Sequence, residues 1–317
     1  MPNLKNPPSP VDGYRGRFAP SPTGPLHAGS LVAALGSWLD ARKNNGKWLL
    51  RIEDLDTPRC IPGSDQEIMR QLLACGLSWD EELTWQSQHQ SRYKKVLEHL
   101  NGLQTIYPCT CSRQSIANAL EARGVLTPRN QEMVYPGSCR PQKIPVHENK
   151  TIFSAEMAWR LALPPGLKLQ FEDLVLGKQS QNLNQEVGDF VLRRRDGVFT
   201  YQLAVVVDDA EQGITHIVRG ADLLNNTARQ IYLQSVLGYA TPSYLHLPLV
   251  LDEHGEKLSK QTLASAIHTE NSQQALQALR KAAEHLGLRD LPDGKDISIA
   301  EWLLAATQAW NRKITFS

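Results

Sequence analysis

His27, Gly29 and Ser30 stand directly behind a turn punctuated by Pro20, Pro22, Gly24 and Pro25, and residues of these types at this spacing can hold an anion. A strand read from Tyr14 to Phe18 enters the turn, and a helical pattern opens near Gly29 or Ser30. The first N–H groups of a helix lack partners inside it, so they and the helix dipole favour negative charge. Glycine lets an anion approach the backbone, and an imidazole can donate to phosphate oxygens. A second basic element, Lys257-Leu258-Ser259-Lys260-Gln261, follows a run from His246 to Leu251 that reads as a buried strand. Taken alone, it reads as an exposed basic turn, since Lys and Ser favour surfaces.

A different chemistry is suggested by the cysteines. Cys109-Thr110-Cys111 is a tight thiol pair, and a Pro- and Gly-containing loop could return Cys139 to it. Zinc favours tetrahedral sulfur and nitrogen ligands, so three thiolates are a strong start to a structural site. Cys60 and Cys75 are expected to be reduced and buried.

These groups need a scaffold. Trp48 to Ile52, Leu203 to Val207, Ile214 to Val218 and Leu247 to Leu251 are short, nearly continuous apolar runs, the pattern of parallel strands covered on both faces. Helical patterns cover Leu31 to Lys43, which stops at Asn44-Asn45-Gly46, then Ser64 to Cys75 and Gln90 to Leu103. The expected fold is therefore α/β, a Rossmann-like doubly wound parallel sheet with a zinc-containing insertion and a short C-terminal helical region. The divisions read as a disordered tail over 1–13, a first catalytic half over 14–104 and the insertion over 105–190. A second catalytic half with the lysine-bearing loop spans 191–261, and a helical region spans 262–317, with amphipathic candidates at Gln273 to Leu286 and Ser298 to Trp310.

Six segments carry a family resemblance. His27-Ala28-Gly29-Ser30 resembles the HIGH signature of class I aminoacyl-tRNA synthetases, and Lys257 to Gln261 resembles their KMSKS signature. RFAPSPTG from Arg17, Leu50 to Asp56 and Gly76 to Glu81 resemble glutamyl-tRNA synthetases in sequence and order. The run from Gly188 to Gln230 is similar to the glutamyl-queuosine tRNA(Asp) synthetases, short paralogues that activate glutamate with ATP and attach it to the queuosine base at the wobble position of tRNA(Asp). A full glutamyl-tRNA synthetase carries a helical anticodon-binding region after the KMSKS loop, and residues 262–317 have no room for one. Serine replaces the second histidine at Ser30, and glutamine the final serine at Gln261, while His27 and Lys260 are retained.

The resemblance implies roles. Arg17, Phe18, Ala19, Pro20, Ser21, Glu53, Tyr201 and Arg219 match glutamate-contacting positions; His27, Lys257 and Lys260 are catalytic, with His27, Gly29 and Lys260 on ATP. Arginine is a bidentate fork for carboxylate, which suits Arg17 and Arg219, and Glu53 would meet the ammonium. Which arginine takes which carboxylate stays open. Mg2+ is expected with ATP. The family also supplies Tyr135 as the fourth metal ligand beside Cys109, Cys111 and Cys139; His147 or a water is the conventional alternative. Arg193, Arg194, Arg195, Arg129, Arg140 and Lys143 are candidate tRNA phosphate contacts. The alternatives are a truncated glutamyl-tRNA synthetase charging the 3′ end of tRNA(Glu) and a non-catalytic tRNA-binding module.

Composition bounds these readings. The 317 residues carry a formal charge of +1 and are 41% hydrophobic, which suits a globular enzyme and argues against indiscriminate nucleic-acid binding. No run approaches the ~20 apolar residues of a membrane helix. The proline-bearing N-terminus lacks the apolar core of a signal peptide, so a cytoplasmic location is expected.

Overall fold

The computed structural model describes residues 13–125, 133–148, 152–153, 156–250, 266–294 and 296–312. The expected tail over 1–13, except Gly13, and the loop carrying Lys257 and Lys260 lie outside the described residues. Strand β1 (Arg15–Phe18) runs parallel to β2 (Lys47–Ile52), with helix α1 (Ala28–Lys43) connecting them, and β2 pairs with β3 (Thr84–Trp85). Helices α2 (Ser64–Ala74) and α3 (Gln90–Gly102) flank β3 in sequence. The segment expected as an insertion holds β4 (Ile106–Cys109), α4 (Arg113–Glu121), β5 (Ala158–Leu161) and a hairpin, β6 (Lys168–Asp173) and β7 (Gly177–Asn182). Strand β8 (Phe190–Arg193) closes an antiparallel sheet with β5 and β4. There follow α5 (Tyr201–Glu211), β9 (His216–Gly220), α6 (Leu224–Leu237), β10 (Ser243–Leu247), α7 (Ser272–His285) and α8 (Ile299–Ala309).

Strand order explains where a ligand can sit. β9 and β10 are parallel neighbours, and β6 adds to β10 in parallel, so the hairpin is built into this sheet. β9 also lies against β1, where the Thr215 N–H donates to the Arg15 carbonyl at 2.9 Å and the Arg15 N–H to Thr215 Oγ1 at 2.8 Å. The spatial order is thus β3-β2-β1-β9-β10-β6-β7. The direction of winding reverses between β1 and β9, and such a reversal leaves a crevice at the carboxyl ends of the strands.

The two faces of β1 and β2 differ. On one, Phe18 stacks on Trp48 at 6.2 Å, and Leu31, Leu35 and Leu39 of α1 join them in the main apolar cluster. On the other, the register pairs Arg17 with Leu49, and Arg51 two residues on points the same way. That polar face is covered by α5. The run Leu203 to Val207, expected as a strand, is part of this helix. Its five apolar residues are all buried, and the following Asp208 and Asp209 are buried too because arginines and hydroxyls face them. A helix enclosed on nearly all sides has no apolar stripe to betray its period. Of the other runs, Trp48 to Ile52 lies in β2 as expected and Ile214 to Val218 is displaced to His216–Gly220; of Leu247 to Leu251 only Leu247 belongs to a strand, Ser243–Leu247, which ends before Pro248, a residue with no N–H for the ladder, and Leu251 lies outside the described residues.

Helix α1 ends as its sequence requires. Asn45 has φ 51°, and a Cβ on Gly46 would lie 2.6 Å from the Tyr14 carbonyl oxygen, so glycine lets the chain pass close to Tyr14 and enter β2 beside β1. Helices α7 and α8 pack on α1 through Leu276, Leu279, Trp302 and neighbours. One buried carboxylate ties this corner together. Asp40 of α1 accepts from Tyr14 Oη at 2.6 Å, Trp310 Nε1 at 2.8 Å and Arg312 Nε at 2.6 Å. Asp40→Ala leaves these donors without an acceptor, and urea denaturation should show a loss of about 3 kcal/mol; a loss under about 0.5 kcal/mol contradicts this role.

Candidate active site and metal centre

The crevice between β1 and β9 is a cavity of about 600 Å³, within the range that holds small-molecule ligands. Arg17 and Phe18 end β1, Ala19, Pro20 and Ser21 open the turn, and His27 and Gly29 begin α1; all line the cavity with Glu53, Tyr201 and Arg219. Every described residue expected at an ATP or glutamate site therefore faces one space. Lys257 and Lys260 fall outside the described residues.

His27 is the N-cap of α1. Its Nδ1 accepts from the Ser30 N–H at 3.3 Å, and Ser30 Oγ accepts from the His27 N–H at 2.8 Å, a reciprocal capping box. The departure from the HIGH pattern at Ser30 thus has a structural use. With Nδ1 accepting, the neutral imidazole carries its proton on Nε2. The turn before it is held by Gln71, whose Oε1 accepts from the Leu26 N–H at 2.7 Å.

Below the cavity lies a buried charge cluster that motif reading missed. Asp209 Oδ1 accepts from Arg17 Nε at 3.2 Å and Arg51 Nη2 at 2.8 Å. Arg51 also reaches Glu53 at 3.4 Å, and its side chain is fully buried. Asp208 accepts from Tyr93 Oη at 2.5 Å and Arg92 Nη1 at 3.1 Å, and meets His89 Nδ1 at 3.0 Å. Burial works against ionised Asp209, yet Arg17 and Arg51 hold its pKa below the ordinary value. Glu53 is the reverse case: burial pushes its carboxyl up to about 7, and Arg51 and Arg17 only partly offset this.

Arg219 is held differently. Nε donates to His246 Nε2 at 3.1 Å, Nη1 to Gln230 Oε1 at 2.8 Å and Tyr201 Oη at 3.3 Å, and Nη2 to Thr227 Oγ1 at 2.7 Å. Those acceptors are neutral, and among the described residues no ion pair joins Arg219 to a carboxylate. One arginine at the crevice is thus compensated by acid and the other keeps its charge.

Outside the crevice, the thiols of Cys109, Cys111 and Cys139 lie within 4.8 Å of one another. Tyr135 Oη is 3.4 Å from Cys109 Sγ and 3.8 Å from Cys111 Sγ. Sulfurs on a tetrahedral zinc lie about 3.8 Å apart, so the donor set fits a metal in spacing and chemistry. Burial alone would raise the Cys139 thiol, but the Thr110 backbone and neighbouring side chains hold it at about 7, while burial pushes Cys111 and the Tyr135 phenol up. His147 is not part of this group; its ring packs edge-on against Trp159 at 5.1 Å. Cys75 is buried as expected, whereas Cys60 is half-exposed.

The basic run divides. Arg193 is buried and donates to the carbonyls of Ile152 at 3.3 Å and Phe153 at 3.2 Å, so it serves the fold and not a phosphate. Arg194 pairs with Asp196 and lies 3.6 Å from Asp56, while Arg195 donates to the Glu156 and Thr110 carbonyls. Arg140 bonds Asp189 at 3.0 Å, and Arg129 lies outside the described residues. No described helix is long and apolar enough to cross a membrane.

Residues 14–297 match the family of class I tRNA synthetases (E and Q), catalytic domain. The chain is 52% identical over 303 residues to a glutamyl-Q tRNA(Asp) synthetase of Burkholderia cenocepacia, covering 95% of this chain and 97% of the relative. It is 50% identical over 303 residues to one of Cupriavidus metallidurans, covering 95% and 92%. Among solved structures, a glutamate tRNA ligase of Elizabethkingia meningosepticum in complex with its amino acid superposes with a TM-score of 0.77 at 28% identity. That match covers 96% of this chain and 66% of the ligase, so the chain spans about two thirds of the ligase's length.

Glu53 gives the site a pH signature. Its folded pKa of about 7 exceeds the ordinary 4.5, so its contribution to stability is fully present below pH 4.5 and is lost as pH rises through 7. Between pH 5 and 8 the ligand-free protein should lose about 2 kcal/mol of unfolding free energy that Glu53→Gln does not lose. Parallel urea titrations check this, and identical pH profiles would contradict it.

Proposed function

The chain belongs to the class I tRNA synthetases of the glutamate and glutamine branch, ligases by family, and we propose that it activates L-glutamate with ATP and transfers it to the queuosine base at the wobble position of tRNA(Asp). The observation that carries the first half is the crevice at the strand-order reversal, where Arg219, held by neutral acceptors among the described residues, Arg17, Glu53 and the His27 helix start face one cavity. The second half is supported by the 52% identity, over 97% of its length, with a relative named for that reaction, against 28% with a glutamate ligase.

Activation needs no protein nucleophile. The α-carboxylate of glutamate attacks the α-phosphorus of ATP, the bond to the bridging oxygen breaks, and pyrophosphate leaves with its electron pair. Catalysis is then positioning and charge stabilisation. Arg17 and Arg219 take the two carboxylates, ionised Glu53 takes the ammonium, and Tyr201 Oη lies beside them. His27 Nε2 and the Gly29 backbone face the phosphates, and Lys257 and Lys260 neutralise the outgoing charge. Mg2+ would enter with ATP and offset part of the triphosphate charge. This step proceeds without tRNA. A hydroxyl of the queuosine ring next attacks the activated carbonyl and expels AMP. A wobble base lies in a single-stranded loop and can be turned out into a cleft, and Arg194, Arg195, Arg140 and Lys143 are placed among the candidate backbone contacts. The reaction belongs to the cytoplasm, where tRNA is modified.

We assign zinc to Cys109, Cys111, Cys139 and Tyr135, in a structural role apart from the crevice. Gly188 bears on it. Its φ is +71°, and a Cβ there would lie 2.6 Å from the Tyr135 carbonyl oxygen, so the strand that follows needs glycine to pass the ligand loop. Gly188→Ala should lower bound zinc from one to well below 0.5 per chain, measured by plasma emission after dialysis; a full complement contradicts the assignment of Tyr135.

The activation step is tested by glutamate-dependent pyrophosphate exchange without tRNA. Exchange should occur with glutamate and not with glutamine or aspartate, and Arg219→Ala should reduce it at least a hundredfold with the circular dichroism spectrum unchanged. Exchange retained at ordinary glutamate concentration removes Arg219 from the site, and none in the wild type favours the non-catalytic reading.

A further inference from the structure

Among the described residues, Arg219 is linked to a carboxylate through His246. In the parallel register of β9 and β10, His246 stands beside Arg219, and Tyr244 stands beside Asp173 of β6. Asp173 Oδ2 meets His246 Nδ1 at 2.7 Å, and His246 Nε2 meets Arg219 Nε at 3.1 Å. Both the histidine and the aspartate side chains are fully buried. Asp173 is itself fixed, because Oδ1 accepts from the N–H groups of Val175 at 3.0 Å and Leu176 at 2.8 Å, and Oδ2 also accepts from the His246 N–H at 3.1 Å.

Elementary chemistry fixes the protons along this chain. A guanidinium nitrogen has only hydrogen to offer, so His246 Nε2 must present its lone pair. The ring proton therefore sits on Nδ1 and points at the carboxylate. Burial lowers the His246 pKa, which agrees with a neutral ring. A carboxylate placed directly on Arg219 would orient it but also compensate its charge, as Asp209 does for Arg17. A neutral imidazole orients it and leaves the charge available.

We propose that Asp173 and His246 are positioning residues for glutamate recognition: Asp173 selects the imidazole tautomer, and the imidazole holds the Arg219 fork toward a substrate carboxylate without neutralising it. The proposal rests on the reading of Arg219 as a glutamate contact. It assigns a purpose to the β6–β7 hairpin, which supplies from outside the first catalytic half the carboxylate that a specificity residue depends on.

Asp173→Asn is the sharpest probe. If its amide oxygen keeps the Val175 and Leu176 N–H groups, its NH2 faces His246 Nδ1, which must then accept; the proton moves to Nε2 and meets Arg219 Nε–H. In pyrophosphate exchange, KM for glutamate should rise at least tenfold while KM for ATP stays within twofold, and 15N spectra of the imidazole should show the inverted tautomer. His246→Leu removes the acceptor and should give the same rise, whereas His246→Gln, which can present a carbonyl oxygen to Nε, should restore KM to within about threefold of wild type. The histidine pair decides the matter if Asp173→Asn does not fold. A glutamate KM within twofold of wild type in His246→Leu, or equal losses in His246→Leu and His246→Gln, overturns the proposal. Arg219→Ala separates the two levels: an unchanged glutamate KM there refutes the glutamate reading itself, while a raised KM there with none in His246→Leu refutes only the positioning pair.

Discussion

A single carboxylate, Asp209, holds together the surfaces that make the crevice. It lies between Arg17 of β1 and Arg51 of β2, at 3.2 Å and 2.8 Å, and comes from α5, nearly two hundred residues along the chain. Two guanidiniums on one sheet face could not be covered by an apolar helix without leaving buried charge uncompensated. The helix that covers them carries two acids at its end, and the charge pairing sets where it sits. Because Tyr201 begins this helix and Arg17 ends β1, the same contact brings both to the crevice.

The two arginines of the crevice then differ in a way that suits a dicarboxylate with an ammonium group. Arg17 is partly compensated by Asp209, Arg219 forms no ion pair among the described residues, and Glu53 is held near the pH where it changes charge. An incoming ammonium favours the ionised form of Glu53, and an incoming carboxylate finds at Arg219 a cation already oriented by neutral partners. Preorganised groups of this kind avoid reorganisation when the ligand arrives. The thiol cluster of Cys109, Cys111 and Cys139 lies apart from the crevice, beside the antiparallel strands β4, β5 and β8.

Much of this was legible in the sequence, and the misses have a common cause. The HAGS turn, the first three helices, both C-terminal helices and the thiol cluster were readable because each signal is local: a cap, a period, a spacing. Ser30 looked like a departure from a motif and is half of a capping box with His27. Helix α5 was read as a strand because its apolar run is enclosed on all sides and its acids are buried by partners far away in sequence. Arg51 and Asp209 lie inside segments that carry the family resemblance, yet neither they nor Asp173 and His246 signal a role of their own, since their meaning lies in pairs separated by 158 residues in one case and 73 in the other. A buried Arg51 between apolar neighbours in a strand was the available hint that an acid had to come from elsewhere.

The most direct test of the account concerns the acceptor. Labelled glutamate, ATP and the protein are incubated with tRNA(Asp) from which the 3′-terminal adenosine has been removed, with and without queuosine at the wobble position. Label is expected on the queuosine-containing tRNA despite the missing adenosine, and none on the unmodified one. Label that requires the terminal adenosine and is indifferent to queuosine would contradict it and return the crevice to ordinary 3′-end charging.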